Sequence, residues 1–563
     1  MQSSVNKKRY ILVFAIVGVL SLGFIKTDLF EVSKNLDIFN NLYRVLNESY
    51  VDETKPGQLM KTAIDGMLES LDPYTNYITE NDLEDFMIMT TGEYGGVGAR
   101  VGDVDGKIMI YDIYEGFSAQ RNGVIAGDEI VEINGQNVKG KKSDDVSPLL
   151  KGQAGSPLKI KVIHPGQTSP VEINLMREEI KLKPVPYSGM IDNKTGYIKL
   201  IQFTENCSVM VKDALTKLKE RNCKSLILDM RGNPGGLMLE AVNIVNLFVD
   251  KGREVVSTKG KVSDWDKTYI SVNPPVDTIM PLVVLIDENS ASAAEIVAGA
   301  LQDLDRAAIV GQRSFGKGLV QQTRDLTYNA KLKVTVAKYY IPSGRCIQAL
   351  DYTHKDEDGR VEKVPDSLIT AFKTKGGRIV YDGAGIMPDV IMEQQKLNHI
   401  TLTLINKNHF FNYATQYVLN HGKINSVKDF QLSDQEYASF VDYLKDKDVS
   451  YKTDSERALE ELKKQSEEES YYQNIKSDYD ALVAKMQADK KDDLSKFKSE
   501  IKQYLEEEII SRYFYMNGRI EHNMKTDIEL KAAQELLSNE GKYKGILTLK
   551  EKATRPFNPR KKF

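Results

Sequence analysis

The sequence predicts an α/β core, interrupted by a compact β-rich module and flanked by helical N- and C-terminal regions. Three observations carry this. Residues 181–395 alternate apolar strand patterns with helical ones, as in a sheet covered on its faces. Residues 91–180 hold short alternating strands separated by Asn-Gly turn dipeptides. Between Pro388 and Pro556 there is no proline, and charge is dense there: 23 of the 50 residues in 451–500 are Asp, Glu, Lys or Arg. A length of 563 residues implies roughly three to five domains. The 41% hydrophobic share is ample for packed cores. With 76 basic and 80 acidic residues, the chain lacks the basic excess of a nucleic-acid binder. Cys207, Cys223 and Cys346 form no CxxC pair, so neither a zinc site nor a disulfide framework is expected. No metal or cofactor is called for.

The first 26 residues stand apart. Lys7, Lys8 and Arg9 precede an apolar run from Tyr10 to Ile25, closed by Lys26. This is a positive flank followed by a hydrophobic segment. It reads as an uncleaved signal-anchor or as a cleaved signal peptide; the lack of a clear small-x-small cleavage site favours the anchor. Either way the basic flank stays inside and the rest of the chain lies beyond the membrane. Residues 27–90 read as helical, with Leu36, Phe39, Leu42, Val45 and Leu46 in one stripe and Leu59, Ala63, Ile64, Met67 and Leu68 in another. Pro73 breaks that pattern.

In the β-rich module, Gly95–Val101 (GGVGARV) is a glycine-rich turn entering a strand. Ile108–Tyr114, Glu129–Ile133 and the segments LKIKVIH and VEINLMR are further strands. In the core, Thr195–Phe203, SLILDMRG and Pro281–Asp287 read as strands, and residues 205–221, LMLEAVNIVNLFV and ASAAEIVAGALQDL as helices. Residues 396–563 read as charged and mostly helical, either an appendage without chemistry or a partner-binding or oligomerising element.

Chemistry is sought where strands run into helices. The strand Pro281–Asp287 leads through Glu288-Asn289 into Ser290-Ala291-Ser292-Ala293-Ala294-Glu295. A serine there sits beside the free N–H groups and partial positive charge of a helix N-terminus, where an oxyanion would find donors. It is equally a common helix cap. The six histidines lie away from this helix, so no Ser-His-Asp arrangement is indicated. Lys317 is the candidate base: two glycines flank it and apolar residues surround it, in Ser314-Phe315-Gly316-Lys317-Gly318-Leu319-Val320-Gln321-Gln322. Burial lowers a lysine pKa toward the useful range. A third segment, Asp229-Met230-Arg231-Gly232-Asn233-Pro234-Gly235-Gly236, is a strand ending in a tight glycine turn. Alone, it reads equally as a plain strand–helix connection.

Seven segments, LDPYTNYI, GGVGARV, DMRGNPGG, ENSASAAEI, FGKGLVQQ, YYIPSGRCIQ and GIMPDV, stand in one order over residues 40–395. In this the chain resembles the C-terminal processing (tail-specific) peptidases, serine proteases of family S41. The resemblance implies a ClpP/crotonase-like protease core with an inserted PDZ domain. It assigns the nucleophile to Ser292, the base to Lys317 and the orientation of that lysine to Gln321. It assigns the oxyanion hole to the N–H groups of Ala293 and Gly236. It makes GGVGARV a carboxylate-binding loop, with Gly96, Val97 and Gly98 receiving a substrate's C-terminus. Implied partners are proteins or peptides with C-terminal tails, the membrane through the N-terminal segment, and a second copy of the chain, with no nucleic acid. The implied location is a bacterial inner membrane, single-pass, with the catalytic part in the periplasm, or the periplasm itself if the signal is cleaved. Two alternatives remain: an inactive PDZ scaffold or adaptor, and a crotonase-like CoA enzyme, to which an export signal and a PDZ are of no use.

Overall fold

The computed structural model describes residues 29–355 and 361–548. The N-terminal apolar run lies outside them. Among the described residues no helix is long and apolar enough to cross a membrane.

The core is a six-stranded sheet in the order Tyr187–Met190, Thr195–Lys199, Ser225–Asp229, Leu282–Ile286, Ala308–Gly311, Val390–Ile391. The first pair is antiparallel and every other pair parallel. Alternation within its strands sends side chains to both faces. Leu226, Leu228, Leu282, Val284 and Ile286 pack against the helices Cys207–Glu220, Met238–Asn246 and Ala293–Asp303. Ile227, Val283, Leu285 and Val310 turn to the other face, where Leu530, Ala533, Leu536 and Tyr543 meet them. These four come from the helices Ile528–Ser538 and Glu540–Thr548. Both faces are therefore dry, which is why these strands read as unbroken apolar runs.

A second sheet, which the sequence pattern did not suggest, is wholly antiparallel. It runs Asn76–Ile78, Lys331–Tyr340, Glu254–Gly260, Lys267–Ile270, with Leu319–Asp325 also paired to Lys331–Tyr340. Its strands carry lysines at intervals that mask the alternation.

The β-rich module is observed as expected. Ala99–Val104, Lys107–Ile113, Glu129–Ile133, Pro157–Ile163 and Val171–Met176 form one antiparallel sheet, closed by the helices Ser118–Arg121 and Ser143–Leu150. Its core includes Val97, Ile110, Ile133, Val146 and Val162. A two-stranded ribbon, Glu93–Gly96 with Glu178–Lys181, ties it to the rest.

The N-terminal stripe forms a helix over residues 29–49, followed by Pro56–Glu69. Leu36, Leu42, Val45 and Leu46 are exposed on it rather than packed. The C-terminal region is helical, but it is not merely an appendage. The hairpin of Asp454–Glu468 and Tyr472–Lys490 is largely solvated, as its charge predicts. The remaining helices have an aromatic core of their own around Phe410, Tyr413, Tyr417 and Phe440. They also hold the β-rich module: the Tyr111 and Phe411 rings stack with centroids 4.8 Å apart. Arg512 lies over the other partner of that stack, Phe411. Asn412 donates to Asp105, and Gln120 donates to the Tyr515 hydroxyl. Tyr515 interrupts the long helix Lys498–Asn523 with φ of 54°.

Candidate active site

Ser292 caps the helix Ala293–Asp303 at φ 54° and ψ −112°, a conformation that costs a serine strain. The surroundings hold it there. The Glu295 carboxylate, fully buried, accepts hydrogen bonds from the Ser292 N–H (2.8 Å) and the Lys317 N–H (2.9 Å). It also accepts from the Gly316 N–H (2.7 Å) and the Ser314 hydroxyl (2.5 Å). One carboxylate thus straps the Ser292 turn to the Lys317 loop. Burial pushes that carboxyl above its ordinary range, against the pull of these donors. The Tyr339 hydroxyl donates to the Ser292 carbonyl. Ser290 has a different fate: fully buried, it donates to the Met230 carbonyl and accepts from the Asp287 N–H. Of the two serines, only Ser292 lines the cleft.

That cleft, about 590 Å³, is also lined by Lys317, Gln321, Lys333, Gly235, Gly236 and Tyr339, with Phe86, Met89, Leu237, Trp265 and Leu319 supplying apolar walls. No histidine lines it. Gly316 precedes the lysine because nothing larger fits: a Cβ there would lie 2.4 Å from that of Ala349. The Lys317 ammonium stands 4.1 Å from the centroid of the Tyr74 ring. Burial pushes its pKa down to about 8, repulsion from Lys333 is the next cause, and Glu295 and Asp72 pull the other way.

Gln321 differs from expectation. Its amide donates to the Thr335 hydroxyl at 3.2 Å, and no hydrogen bond joins it to Lys317. A register shift between Val320 and Gln321 aims this part of the strand.

The glycine turn lies against Ser292. Asn233, fully buried, donates to the Leu200 carbonyl and accepts from the Gly235 N–H, while its carbonyl accepts from the Ala291 N–H. A Cβ on Gly235 would lie 2.7 Å from the Ala291 carbonyl oxygen and 2.8 Å from Cβ of Ser292. A Cβ on Gly236 would strike the Phe203 carbonyl oxygen at 2.2 Å. The Gly235 N–H is spent on Asn233. Among the described hydrogen bonds, the N–H groups of Gly236 and of Ala293, first in its helix, have no acceptor.

None of Gly96, Val97 or Gly98 lines this cleft. All three are buried. The Val97 and Gly98 carbonyls accept from the N–H groups of Ala119 and Tyr114, and the N–H groups of Val97 and Gly98 donate in no described hydrogen bond. The strand that follows, Ala99–Val104, faces the helix Ser143–Leu150, and Asp103 accepts from the Ser143 N–H and hydroxyl across the gap.

Sequence reasoning missed Glu295 and Lys333. The signal for Glu295 was present, a carboxylate three residues after the cap in the manner of a capping box. For Lys333 there was none, since it stands among other strand lysines. Among the described residues no group of His, Cys, Asp and Glu is arranged to hold a metal.

The chain matches "Peptidase family S41" over residues 194–355 and "PDZ domain" over 109–163. It also matches "Probable PDZ-protease, C-terminal helical domain" over 400–537 and "Activating protease CtpB N-terminal domain" over 25–82. A "Carboxy-terminal-processing protease" of Bartonella bacilliformis is 36% identical over 324 residues, covering 57% of this chain and 74% of the relative. A "Probable CtpA-like serine protease" of Staphylococcus aureus is 34% identical over 343 residues, 60% of this chain and 68% of the relative. The solved structure of a photosystem II D1 C-terminal processing protease aligns with a TM-score of 0.34 at 27% identity, over 63% of this chain and 92% of that one.

Proposed function

Because the chain belongs to the carboxy-terminal-processing serine proteases of peptidase family S41 and carries a PDZ domain, we propose that it cuts extracytoplasmic proteins near their C-termini with Ser292 as nucleophile and Lys317 as base. The observation that carries this reading is a single cleft holding Ser292 in a strained turn beside a half-buried lysine whose pKa is lowered to about 8. An ordinary lysine, near 10.4, is almost wholly protonated at neutral pH and cannot accept a proton. Ser292 Oγ bonds to the carbonyl carbon of the scissile peptide as its proton passes to Lys317 Nζ. The oxyanion is met by the N–H groups of Ala293 and Gly236. The C–N bond then breaks and Lys317 returns the proton to the leaving amine. Water, giving a proton to Lys317, hydrolyses the acyl-enzyme and Ser292 is restored. Gln321 serves as a wall of the cleft that steadies Thr335, rather than as a direct partner of the lysine.

The PDZ domain receives the substrate's terminal carboxylate on the N–H groups of the Gly96–Val97–Gly98 turn, while the peptide adds along Ala99–Val104. The apolar walls of the cleft suit apolar residues near that terminus. The charged flank and apolar run of residues 7–26 support an extracytoplasmic site anchored in, or exported across, a bacterial inner membrane. The exposed stripe of residues 29–49 offers a surface for a second copy. An inactive scaffold has no observation in its favour.

The test is cleavage of a peptide with an apolar C-terminus, read by mass spectrometry. Ser292→Ala and Lys317→Ala each abolish it while the circular dichroism spectrum stays unchanged; full activity in either overturns the assignment. Since the neutral amine is the active form, kcat/KM of the unaltered chain rises with pH through an apparent pKa of about 8.

A further inference from the structure

The cleft holds a second lysine that this chemistry does not use. Lys333 lies on the strand Lys331–Tyr340, opposite Asn76 on one side and Thr323 on the other. It lines the same cleft as Ser292 and Lys317. It is two residues from Thr335, hence on the same face of the strand, and Thr335 is the residue that receives the Gln321 amide. Lys333 is half-buried, and among the described residues its ammonium enters no hydrogen bond and no ion pair. Partly buried charges are normally paired, so an unpaired one in a catalytic cleft calls for a reason.

The charged and titratable groups around the two lysines are few. Asp72 faces both, but its carboxylate already accepts from the N–H groups of Tyr74 and Thr75 and from the Thr75 hydroxyl. Glu295 faces Lys317 from the nucleophile helix with its oxygens taken up by four donors. Tyr74 presents its ring to Lys317, and the buried Tyr339 phenol is bound to Ser292. Lys267 and Glu240 line the cleft as well. Lys267 lies over the Trp265 ring and Glu240 accepts from the Ser208 N–H, and neither acts on the two lysines. Of the carboxylates that do, Asp72 and Glu295, both are already taken up by other donors. Like charges at such a site cannot both be held cheaply, and one must yield its proton.

We propose that Lys333 is a positioning residue for the reaction: an unpaired ammonium whose repulsion keeps Lys317 free of its proton, so that the cleft carries its positive charge on Lys333 and its base on Lys317. The proposal rests on the reading of Lys317 as the base. Burial also lowers Lys333, but Asp72 supports its charge.

The experiment is the pH profile of kcat/KM for the full chain, Lys333→Arg and Lys333→Gln, on one peptide with an apolar C-terminus. Removing the charge lets Lys317 hold its proton more tightly. The acid limb of Lys333→Gln moves up by about one pH unit, a roughly tenfold loss at pH 7, while the alkaline plateau is kept. Lys333→Arg keeps the limb of the unaltered chain. An unmoved limb in Lys333→Gln, or equal losses in the Arg and Gln variants at every pH, overturns the proposal. If Lys333→Gln does not fold, Lys333→Met is read in the same way, and failure of both to fold marks the residue as structural and overturns it too. Full activity of Lys317→Ala sinks instead the reading on which the proposal rests. An inactive Lys317→Ala with an unmoved Lys333→Gln limb sinks the proposal alone.

Discussion

Glu295 shows how a site can depend on a residue that never meets substrate. Its two oxygens satisfy four donors, one in the Ser292 turn and three in the loop of Lys317. In Glu295→Gln one oxygen becomes an NH₂ group facing donors, and buried groups lose their acceptor at about 1–3 kcal/mol each. The variant unfolds at lower denaturant concentration and loses kcat more than it changes KM; an unchanged denaturation midpoint would show that the strap is dispensable. At this scale much of the site was legible. Ser292 and Lys317 stood out because small residues mark a sharp turn and because a lysine between glycines lies outside the charged runs. The Gln321 contact was not legible, since a one-residue shift in strand pairing decides where that amide points. Nor was Lys333, whose interest comes from what it lacks in three dimensions.

Among the elements, the glycine turn at Gly235–Gly236 is held from behind by the C-terminal region. Arg231 pairs with Asp229 and Asp527, each at 2.6 Å, and with Glu529 at 2.7 Å. Lys199 adds a contact to Asp229 at 3.1 Å. Although burial works against it, Arg231 and Lys199 hold the Asp229 carboxyl well below its usual range. Asp527 also caps the helix Ile528–Ser538 through the Leu530 N–H. In the double variant Asp527→Asn, Glu529→Gln, Arg231 keeps only one carboxylate in a largely buried setting. Breaking such pairs costs roughly 3–5 kcal/mol, so the thermal midpoint falls by several degrees; a midpoint within a degree of the unaltered chain counts against the link. The strands of the core were readable because burial on both faces writes continuous apolar runs. The part played by Ile528–Ser538 was not, because three apolar contacts, Leu530, Ala533 and Leu536, are spaced along a segment that otherwise looks like the solvated hairpin before it.

For the whole molecule, the PDZ domain stands clear of the cleft and leans on the C-terminal helices through Tyr111, Phe411 and Arg512. Composition could assign neither placement, because both depend on contacts between segments hundreds of residues apart. Phe411→Ala removes the stacked ring and loosens that dock. Amide hydrogen exchange in the strand Lys107–Ile113 then quickens, while cleavage of a short peptide that does not engage the PDZ is unchanged. Exchange at the original rate would place the hold elsewhere, for instance on Gln120 and Tyr515.

The second face of the central sheet has a consequence for the order of events during synthesis. Arg231 meets Asp527 across 296 residues of chain, and both the N–H and the carbonyl of Leu282 are bonded to the Tyr543 hydroxyl, 261 residues on. The strands leave the ribosome long before the helices that roof them. Until those helices emerge, Ile227, Val283 and Leu285 lack the cover of Leu530, Ala533, Leu536 and Tyr543, and the Gly235–Gly236 turn lacks its anchor behind Arg231. The second face of the sheet and the hold on the turn behind Arg231 are therefore completed only once residues 527–543 have been made.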